Sequence, residues 1–152
     1  MPMTLEREEC WFERAVKGDE NVSFTIFERA SGTPIGSTSL MGLDWRSRTA
    51  EFGILIGEAD GRGKGYGTET ARLMLDYAFV ALGLHSVYLR VDQYNLAGRR
   101  AYEKAGYREF GRRRQSQQMG GKFWDTIYMD SRQRVRQPRS RHRLCSKYAA
   151  LR

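Results

Sequence analysis

The spacing of apolar residues along the chain predicts both strands and helices. Over 22–26, apolar residues alternate with Ser23 and Thr25, which is typical of a strand with one buried face. By similar criteria further strands are predicted over 35–43, 50–56, 86–91, 107–117 and 123–129. Apolar residues at helical spacing predict helices over 4–18, 68–82 and 96–105.

The order of these elements indicates the fold class. A strand, a long helix and a second strand between 50 and 91 imply a right-handed crossover between two parallel strands. Gly120–Gly121 is typical of the turn of an antiparallel hairpin. We therefore predict an α+β fold around a mixed, mostly antiparallel sheet. The two parallel strands are expected to splay at their carboxyl ends, where ligands settle in open α/β sheets.

A glycine-rich, basic loop separates the strand of this crossover from its helix. Its glycines alternate with basic and aromatic residues: Gly61, Arg62, Gly63, Lys64, Gly65, Tyr66 and Gly67. Glycine lets a backbone approach a ligand closely, and the start of the next helix offers unpaired N–H groups and a partial positive charge. The loop therefore predicts a phosphate or pyrophosphate site, although on its own it also fits a flexible turn.

Two common phosphate-binding patterns do not fit this loop. A Walker loop requires Ser or Thr after Gly63-Lys64, where this chain has Gly65. The dinucleotide fingerprint Gly-x-Gly-x-x-Gly lacks its last glycine from every possible start. The pattern that fits is Arg-x-x-Gly-x-Gly over 62–67, followed by Thr68.

Charge is concentrated at one end of the chain. The 152 residues carry a formal net charge of +8, and residues 131–152 contain eight basic residues and no acidic one, so residues 1–130 are formally neutral. We predict one domain over 1–130, which is large enough to bury a core. A basic, disordered tail is predicted over 131–152, with salt-sensitive contact to RNA or another polyanion.

Composition argues against a membrane, secreted or metal-binding protein. No apolar run reaches membrane-spanning length, and Met1-Pro2-Met3-Thr4 is not typical of a signal peptide. Cys10 and Cys145 indicate neither a disulfide framework nor a zinc cluster. We therefore predict a cytoplasmic protein without a metal.

Two motifs carry a resemblance to a known family. The Arg62–Gly67 pattern resembles the coenzyme A pyrophosphate loop of the GNAT superfamily of N-acetyltransferases. Residues 95–107 are similar to the GNAT pattern Asn-x-x-Ser-x-x-x-Tyr-Glu-Lys-x-Gly-Phe. They match at Asn95, Tyr102, Glu103, Lys104 and Gly106, with Tyr107 in place of Phe and Gly98 in place of Ser. The resemblance spans 22–129 and points to the ribosomal-protein-alanine and polyamine acetyltransferase branch.

This resemblance implies acetyl-CoA as co-substrate, with no metal. The coenzyme would pair like an additional strand along Leu55 and Ile56, and its pyrophosphate would receive N–H groups from the loop. The coenzyme-binding residues that it implies are Leu55, Ile56, Arg62, Gly63, Lys64, Gly65, Tyr66, Gly67, Thr68 and Asn95. That branch normally begins with a strand and a helix that this chain lacks room for, which implies an acceptor pocket that is incomplete or completed by another chain.

The resemblance also implies the catalytic residues. Tyr102 fits the acid that protonates the departing thiolate, and its alternative role is packing on the sheet. Glu51 is the candidate base, directly or through water, although carboxylates at strand starts are more often merely solvated. Asp92, at the end of the next strand, is the second candidate.

The resulting prediction is an N-acetyltransferase in which a primary amine attacks the thioester directly in a ternary complex. The acceptor stays open among protein N-termini, polyamines, amino acids and aminoglycoside-like antibiotics, and a homodimer is one expected assembly. The alternative is a GNAT-like module that binds coenzyme A without turnover and contacts RNA through its basic tail.

Overall fold

The computed structural model describes residues 21–57 and 63–133, and within them it contains one six-stranded sheet and two helices. The predicted helix over 4–18, Arg62 and residues 134–152 lie outside the described residues. The strands are β1 (Val22–Phe27), β2 (Pro34–Asp44), β3 (Thr49–Ile56), β4 (Ser86–Asp92), β5 (Arg108–Met119) and β6 (Lys122–Arg132). The helices are α1 (Tyr66–Asp76), which continues as a π-helical turn over Tyr77–Ala81, and α2 (Leu96–Ala105).

The sheet has the strand order β1-β2-β3-β4-β6-β5. All neighbours are antiparallel except β3 and β4, which form the parallel pair that the crossover predicts. This pair is short, because it runs only from Thr49↔Ser86 to Glu51↔Tyr88. Beyond these residues the two strands separate, so the mixed sheet with splayed parallel strands is confirmed.

One main-chain carbonyl, just before β3, links this strand to the start of β4. Arg48 has a positive φ of 55°, and its oxygen accepts hydrogen bonds from the N–H groups of His85 (2.7 Å) and Ser86 (3.2 Å). The helix of the crossover, α1, begins at Tyr66 rather than at the predicted 68. It ends before Gly83, whose left-handed φ of 66° suits its predicted place after the helix.

Both helices pack against one face of the sheet. Ala71, Met74, Leu75 and Ala78 of the first helical segment join the buried core. The core residues that the sheet contributes are Leu40, Leu43, Ala50, Phe52, Val87, Leu89, Val91, Ile127 and Met129. Each large core side chain contributes about 1.5–3 kcal/mol when fully buried. The opposite face carries the alternate residues of the same strands, and several of these are polar.

The hairpin at the C-terminal end is longer than its pattern predicted. Gly120 and Gly121 both have left-handed φ values, 60° and 73°, as a two-residue turn requires. β6 extends to Arg132, and the N–H of Gln133 donates to the His85 carbonyl at 2.8 Å. The predicted start of the tail at 131 is therefore wrong for residues 131–133, because Ser131 and Arg132 pair with β4 and Gln133 bonds to the residue before it. Within the described residues, no helix combines the length and apolarity that a membrane crossing needs.

Candidate active site

A cleft of about 360 Å³ lies where β3 and β4 separate. It is lined by Met41, Glu51, Phe52, Gly53, Ile54, Arg90, Asp92, Tyr102, Arg113, Ser116, Gln117, Thr126 and Tyr128. Phe52 belongs to the helix-covered face, whereas its neighbour Glu51 belongs to the open face. The gap between the strands therefore lets groups from both faces meet in one cleft. Tyr102, Glu51 and Asp92, which the sequence singled out separately, are among them.

Among residues 21–57 and 63–133, one edge of β3 has no neighbouring strand beyond its short pairing with β4. The N–H of Gly57 donates to the Ile35 carbonyl of β2 at 3.0 Å. Main-chain groups alternate in direction along an antiparallel strand, so Leu55 also directs its own toward β2. The N–H and C=O groups of Ile54 and Ile56 consequently face the gap. The main-chain pairing predicted at Leu55 is therefore corrected to Ile54, because the groups of Leu55 face β2. An extended ligand can pair with these groups as an additional strand would.

The glycine-rich loop leads directly into α1. Gly65 is the N-cap residue, with a φ of 87°, and provides no side-chain cap. Gly63 is also left-handed, with a φ of 79°, and side chains with a Cβ resist this conformation. The N–H groups of the first turn therefore have no helical acceptor and lie at the positive end of the helix. This geometry suits an anion such as a pyrophosphate.

The remaining loop residues lie around this helix start. Lys64 is exposed, whereas Tyr66, Gly67 and Thr68 are half-buried. A Cβ added to Gly67 would lie 3.7 Å from the Cδ1 atom of Ile56. The loop is thus adjacent to the free end of β3, and the structure brings these two predicted parts of the coenzyme site together.

Asn95 is the N-cap of α2. Its Oδ1 atom accepts a hydrogen bond from the N–H of Gly98 at 2.9 Å. A Cβ added to Gly98 would lie only 2.6 Å from the Nδ2 atom of Asn95. The glycine that departs from the family's serine therefore leaves the space that the Asn95 side chain occupies.

Tyr102 lies in an aromatic cluster at the floor of the cleft. Its ring makes edge contacts with Phe52 (centroids 6.2 Å apart) and Tyr107 (6.1 Å). Burial raises the pKa of the Tyr102 hydroxyl above its ordinary value of 10. The phenol therefore keeps its proton at neutral pH and is available to donate it.

Glu51 is held by two donors from β4. The Nε of Arg90 donates to it at 2.6 Å, and the hydroxyl of Tyr88 donates at 3.3 Å. Its negative charge raises the pKa of the Arg90 guanidinium, chiefly through the hydrogen bond, while burial and then Glu51 raise the pKa of Tyr88. Asp92 accepts a hydrogen bond from the Tyr94 hydroxyl at 2.8 Å. Both carboxylates are thus engaged by donors within the protein.

Most of the open-face wall of the cleft carries no signal in the sequence. Arg90, Arg113 and Tyr128 belong to no motif, and they meet only through the pairing of β4, β5 and β6. A bulge between Arg113 and Gln117 interrupts the hairpin register, with Gln115 at a left-handed φ of 48°. No spacing in the sequence marks this bulge, which changes which β5 side chains face the cleft. Among the described lining residues, two guanidinium groups balance two carboxylates.

Comparison with known proteins gives the family. Residues 1–108 match the acetyltransferase (GNAT) domain. The chain belongs to this family. A probable N-acetyltransferase of Bacillus subtilis strain 168, YjcK, is 34% identical over 115 residues, which cover 75% of this chain and 63% of the relative. The spermidine N(1)-acetyltransferase of Vibrio cholerae serotype O1 is 32% identical over 104 residues, covering 68% and 60%. The match thus spans about three fifths of each relative.

Solved GNAT structures resemble this fold closely. The crystal structure of spermidine N-acetyltransferase from Vibrio cholerae in complex with CoA and spermine has a TM-score of 0.77 at 26% identity, over 86% of this chain and 76% of that chain. A structure described as dodecameric, from the same organism, has a TM-score of 0.74 at 26% identity, over 85% and 74%. The predicted family and fold are therefore confirmed, and the predicted roles of individual residues stay predictions.

Proposed function

We propose that this GNAT chain is an acetyl-CoA-dependent N-acetyltransferase acting on a primary amine. The observation that carries the proposal is the arrangement of three features along β3: Tyr102 in the cleft beside Phe52 and Ile54, the unpaired edge of β3, and the uncapped start of α1, which adjoins that edge at Ile56. The relatives named as N-acetyltransferases and the similar structure that holds CoA support the same reading.

The coenzyme would lie along the free edge of β3. Ile54 and Ile56 offer main-chain groups to its extended arm, and the first turn of α1 offers N–H groups to its pyrophosphate. Gly63, Lys64, Gly65, Gly67 and Thr68 form this turn or precede it. The side-chain Nδ2 of Asn95 is a further donor near the cleft, since Oδ1 is engaged in the cap.

The chemistry that we propose divides between the two faces of the sheet. The amine attacks the thioester carbonyl directly, and a main-chain N–H of the β3 edge stabilises the developing oxyanion in a water-poor cleft. Tyr102, on the helix-covered side, donates its proton to the departing thiolate. Glu51, on the open side, receives the proton of the amine directly or through water, with Asp92 as the second candidate.

The acceptor amine would enter from the open face. Two carboxylates, Glu51 and Asp92, line that side and suit a cationic group, while Arg90 and Arg113 offset their charge. Relatives named spermidine N(1)-acetyltransferases make polyamines the first class to test. Protein N-termini, amino acids and aminoglycosides complete the panel. By analogy with the dodecameric neighbour we also propose that the chain self-associates, which light scattering measures.

The test is release of coenzyme A thiol from acetyl-CoA in the presence of each amine class. We expect release that depends on one class of primary amine and that Tyr102→Phe suppresses. Tyr77→Phe is a matched control, because it removes a phenol hydroxyl that also packs against the core but belongs to a residue outside the cleft lining. Binding of acetyl-CoA without thiol release for any amine would contradict the enzyme and favour a binding module.

A further inference from the structure

A hydrogen bond joins the glycine-rich loop over 63–68, here called the coenzyme loop, to the hairpin of β1 and β2. Tyr66, the first residue of α1, donates its hydroxyl hydrogen to the carboxylate of Glu28. Glu28 directly follows β1, at the start of the connection to β2. The contact spans 38 residues of sequence and belongs to neither of the motifs that identified the site.

The loop has few other means of being held in place. Gly63 and Gly65 have no side chains, and a Cβ built on either would meet no heavy atom within 4 Å. The helix that follows has no side-chain cap. Among the described loop residues 63–68, Tyr66 is the one whose side chain hydrogen-bonds another element. Its position between Gly65 and Gly67 places this anchor inside the turn that would receive the pyrophosphate.

Glu28, which accepts this hydrogen bond, is itself held by hydrogen bonds within the connection between β1 and β2. The Ser31 hydroxyl donates to the other carboxylate oxygen of Glu28 at 2.7 Å. The Glu28 N–H donates to the Thr33 carbonyl, and the Gly32 N–H donates to the Glu28 carbonyl, each at 2.8 Å. The hydrogen bond from Tyr66, followed by that from Ser31, lowers the pKa of Glu28, so the acceptor is an ionised carboxylate at neutral pH.

We propose that Glu28 is a positioning residue for the coenzyme loop. Acting through the Tyr66 hydroxyl, it holds the first turn of α1 in the orientation in which its N–H groups receive a pyrophosphate. This inference rests on the proposed function. Ordering the loop before binding lowers the conformational entropy that binding must remove, so the contact raises coenzyme affinity without touching the reacting atoms.

The test measures acetyl-CoA affinity by calorimetry on the full chain carrying Tyr66→Phe, Glu28→Ala or both. Each single change is expected to weaken binding roughly two- to fivefold, the scale of an exposed charged contact. The double variant should bind no more weakly than either single one, because both changes remove the same contact. At saturating acetyl-CoA, Glu28→Ala should leave kcat unchanged, because Glu28 does not touch the reacting atoms. Tyr77→Phe again serves as the control and should leave affinity unaltered.

A conservative variant separates positioning from general damage to the hairpin. Glu28→Gln keeps an oxygen that accepts from Tyr66 and should retain most of the affinity that Glu28→Ala loses. Unchanged affinity in both single variants, fully additive losses, or tighter binding by Glu28→Ala would each overturn the inference. If the unaltered chain binds no acetyl-CoA, the proposed function fails instead, so the two failures are distinguishable.

Discussion

Arg90 donates from its Nε to the carboxylate of Glu51 at 2.6 Å and so bridges β4 and β3 where the two strands begin to separate. The Glu51 side chain is 18% exposed and that of Arg90 is 56% exposed. The candidate base is therefore a partly buried carboxylate that already has a charged partner. It reaches an incoming amine either by displacing a donor or through a bridging water.

This arrangement gives a prediction about the base. If Glu51 receives the amine's proton, Glu51→Gln lowers kcat by about 10²- to 10⁴-fold, the usual contribution of general base catalysis. Asp92→Asn is the matched change at the other carboxylate of the cleft and should have a smaller effect. Steady-state kinetics under saturating acetyl-CoA compares the two. A large loss in Asp92→Asn with little change in Glu51→Gln would assign the role to Asp92.

The second prediction concerns the buried hydroxyl of Tyr107. This side chain is 2% exposed and stacks on Phe52, and its hydroxyl has no partner among the described residues. A buried polar group without a partner costs about 1–3 kcal/mol. Tyr107→Phe, which removes only this hydroxyl, should therefore raise the free energy of unfolding by about 1 kcal/mol near neutral pH, measured by denaturant titration.

The same residue predicts a pH dependence of stability. Burial raises the pKa of the folded Tyr107 above the value of 10 for an exposed phenol. Above pH 10 the unfolded chain thus loses its proton while the folded chain keeps it, and stability falls as pH rises. The fall should be smaller in Tyr107→Phe, although Tyr102 contributes in the same direction. Equal slopes above pH 10 in both proteins would contradict this explanation.

A third prediction compares two glycines at the C-terminal end of β3, where it pairs with β2. A Cβ on Gly36 would lie 2.1 Å from the carbonyl oxygen of Leu55, a main-chain atom that cannot rotate away. A Cβ on Gly57 would lie 3.9 Å from the nearest such atom, the Ile35 oxygen. Gly36→Ala should thus cost more than about 2 kcal/mol of unfolding free energy, whereas Gly57→Ala should be nearly neutral. Similar melting temperatures for the two variants would rule out the close approach.

The fourth prediction concerns Asn95 and Gly98. Through helix propensity alone, Gly98→Ala should raise the free energy of unfolding by about 1 kcal/mol. It should lose about the same amount, because its Cβ displaces the Asn95 side chain from the cap. The two effects cancel, so Gly98→Ala alone should change stability little. In an Asn95→Ala background no side chain is displaced, and Gly98→Ala should stabilise by about 1 kcal/mol. Equal effects in both backgrounds would show that the two residues do not interact.

The features that the sequence predicted well are those that depend on a local pattern or on the position of a strand end. The helix start after the glycine-rich loop, the turn at Gly120–Gly121 and the presence of Tyr102 and Glu51 in one cleft follow from motif spacing and the crossover topology. Such features depend on short stretches of chain and on the general geometry of parallel strands.

The contacts that the sequence did not predict depend on long-range register. The Arg90–Glu51 pair requires the exact offset between β3 and β4, and the position of Arg113 in the cleft depends on an unmarked bulge in β5. The Tyr66–Glu28 bond depends on how the β1–β2 hairpin meets the loop. A shift of one residue in a strand moves every side chain to the other face, so spacing alone cannot fix these contacts.

Tyr102 is the residue that we propose supplies the proton for acetyl transfer, and Tyr102→Phe tests this role most directly. The measurement pairs kcat with calorimetric affinity for acetyl-CoA in both proteins. We predict that kcat falls by about 10²-fold or more while affinity changes less than about twofold, because the lost interaction matters mainly as the thiolate departs. Burial raises the pKa of Tyr102, so the unaltered protein should not lose activity through ionisation of this phenol below pH 10. An unchanged kcat, or a loss of affinity equal to the loss of rate, would contradict the claim.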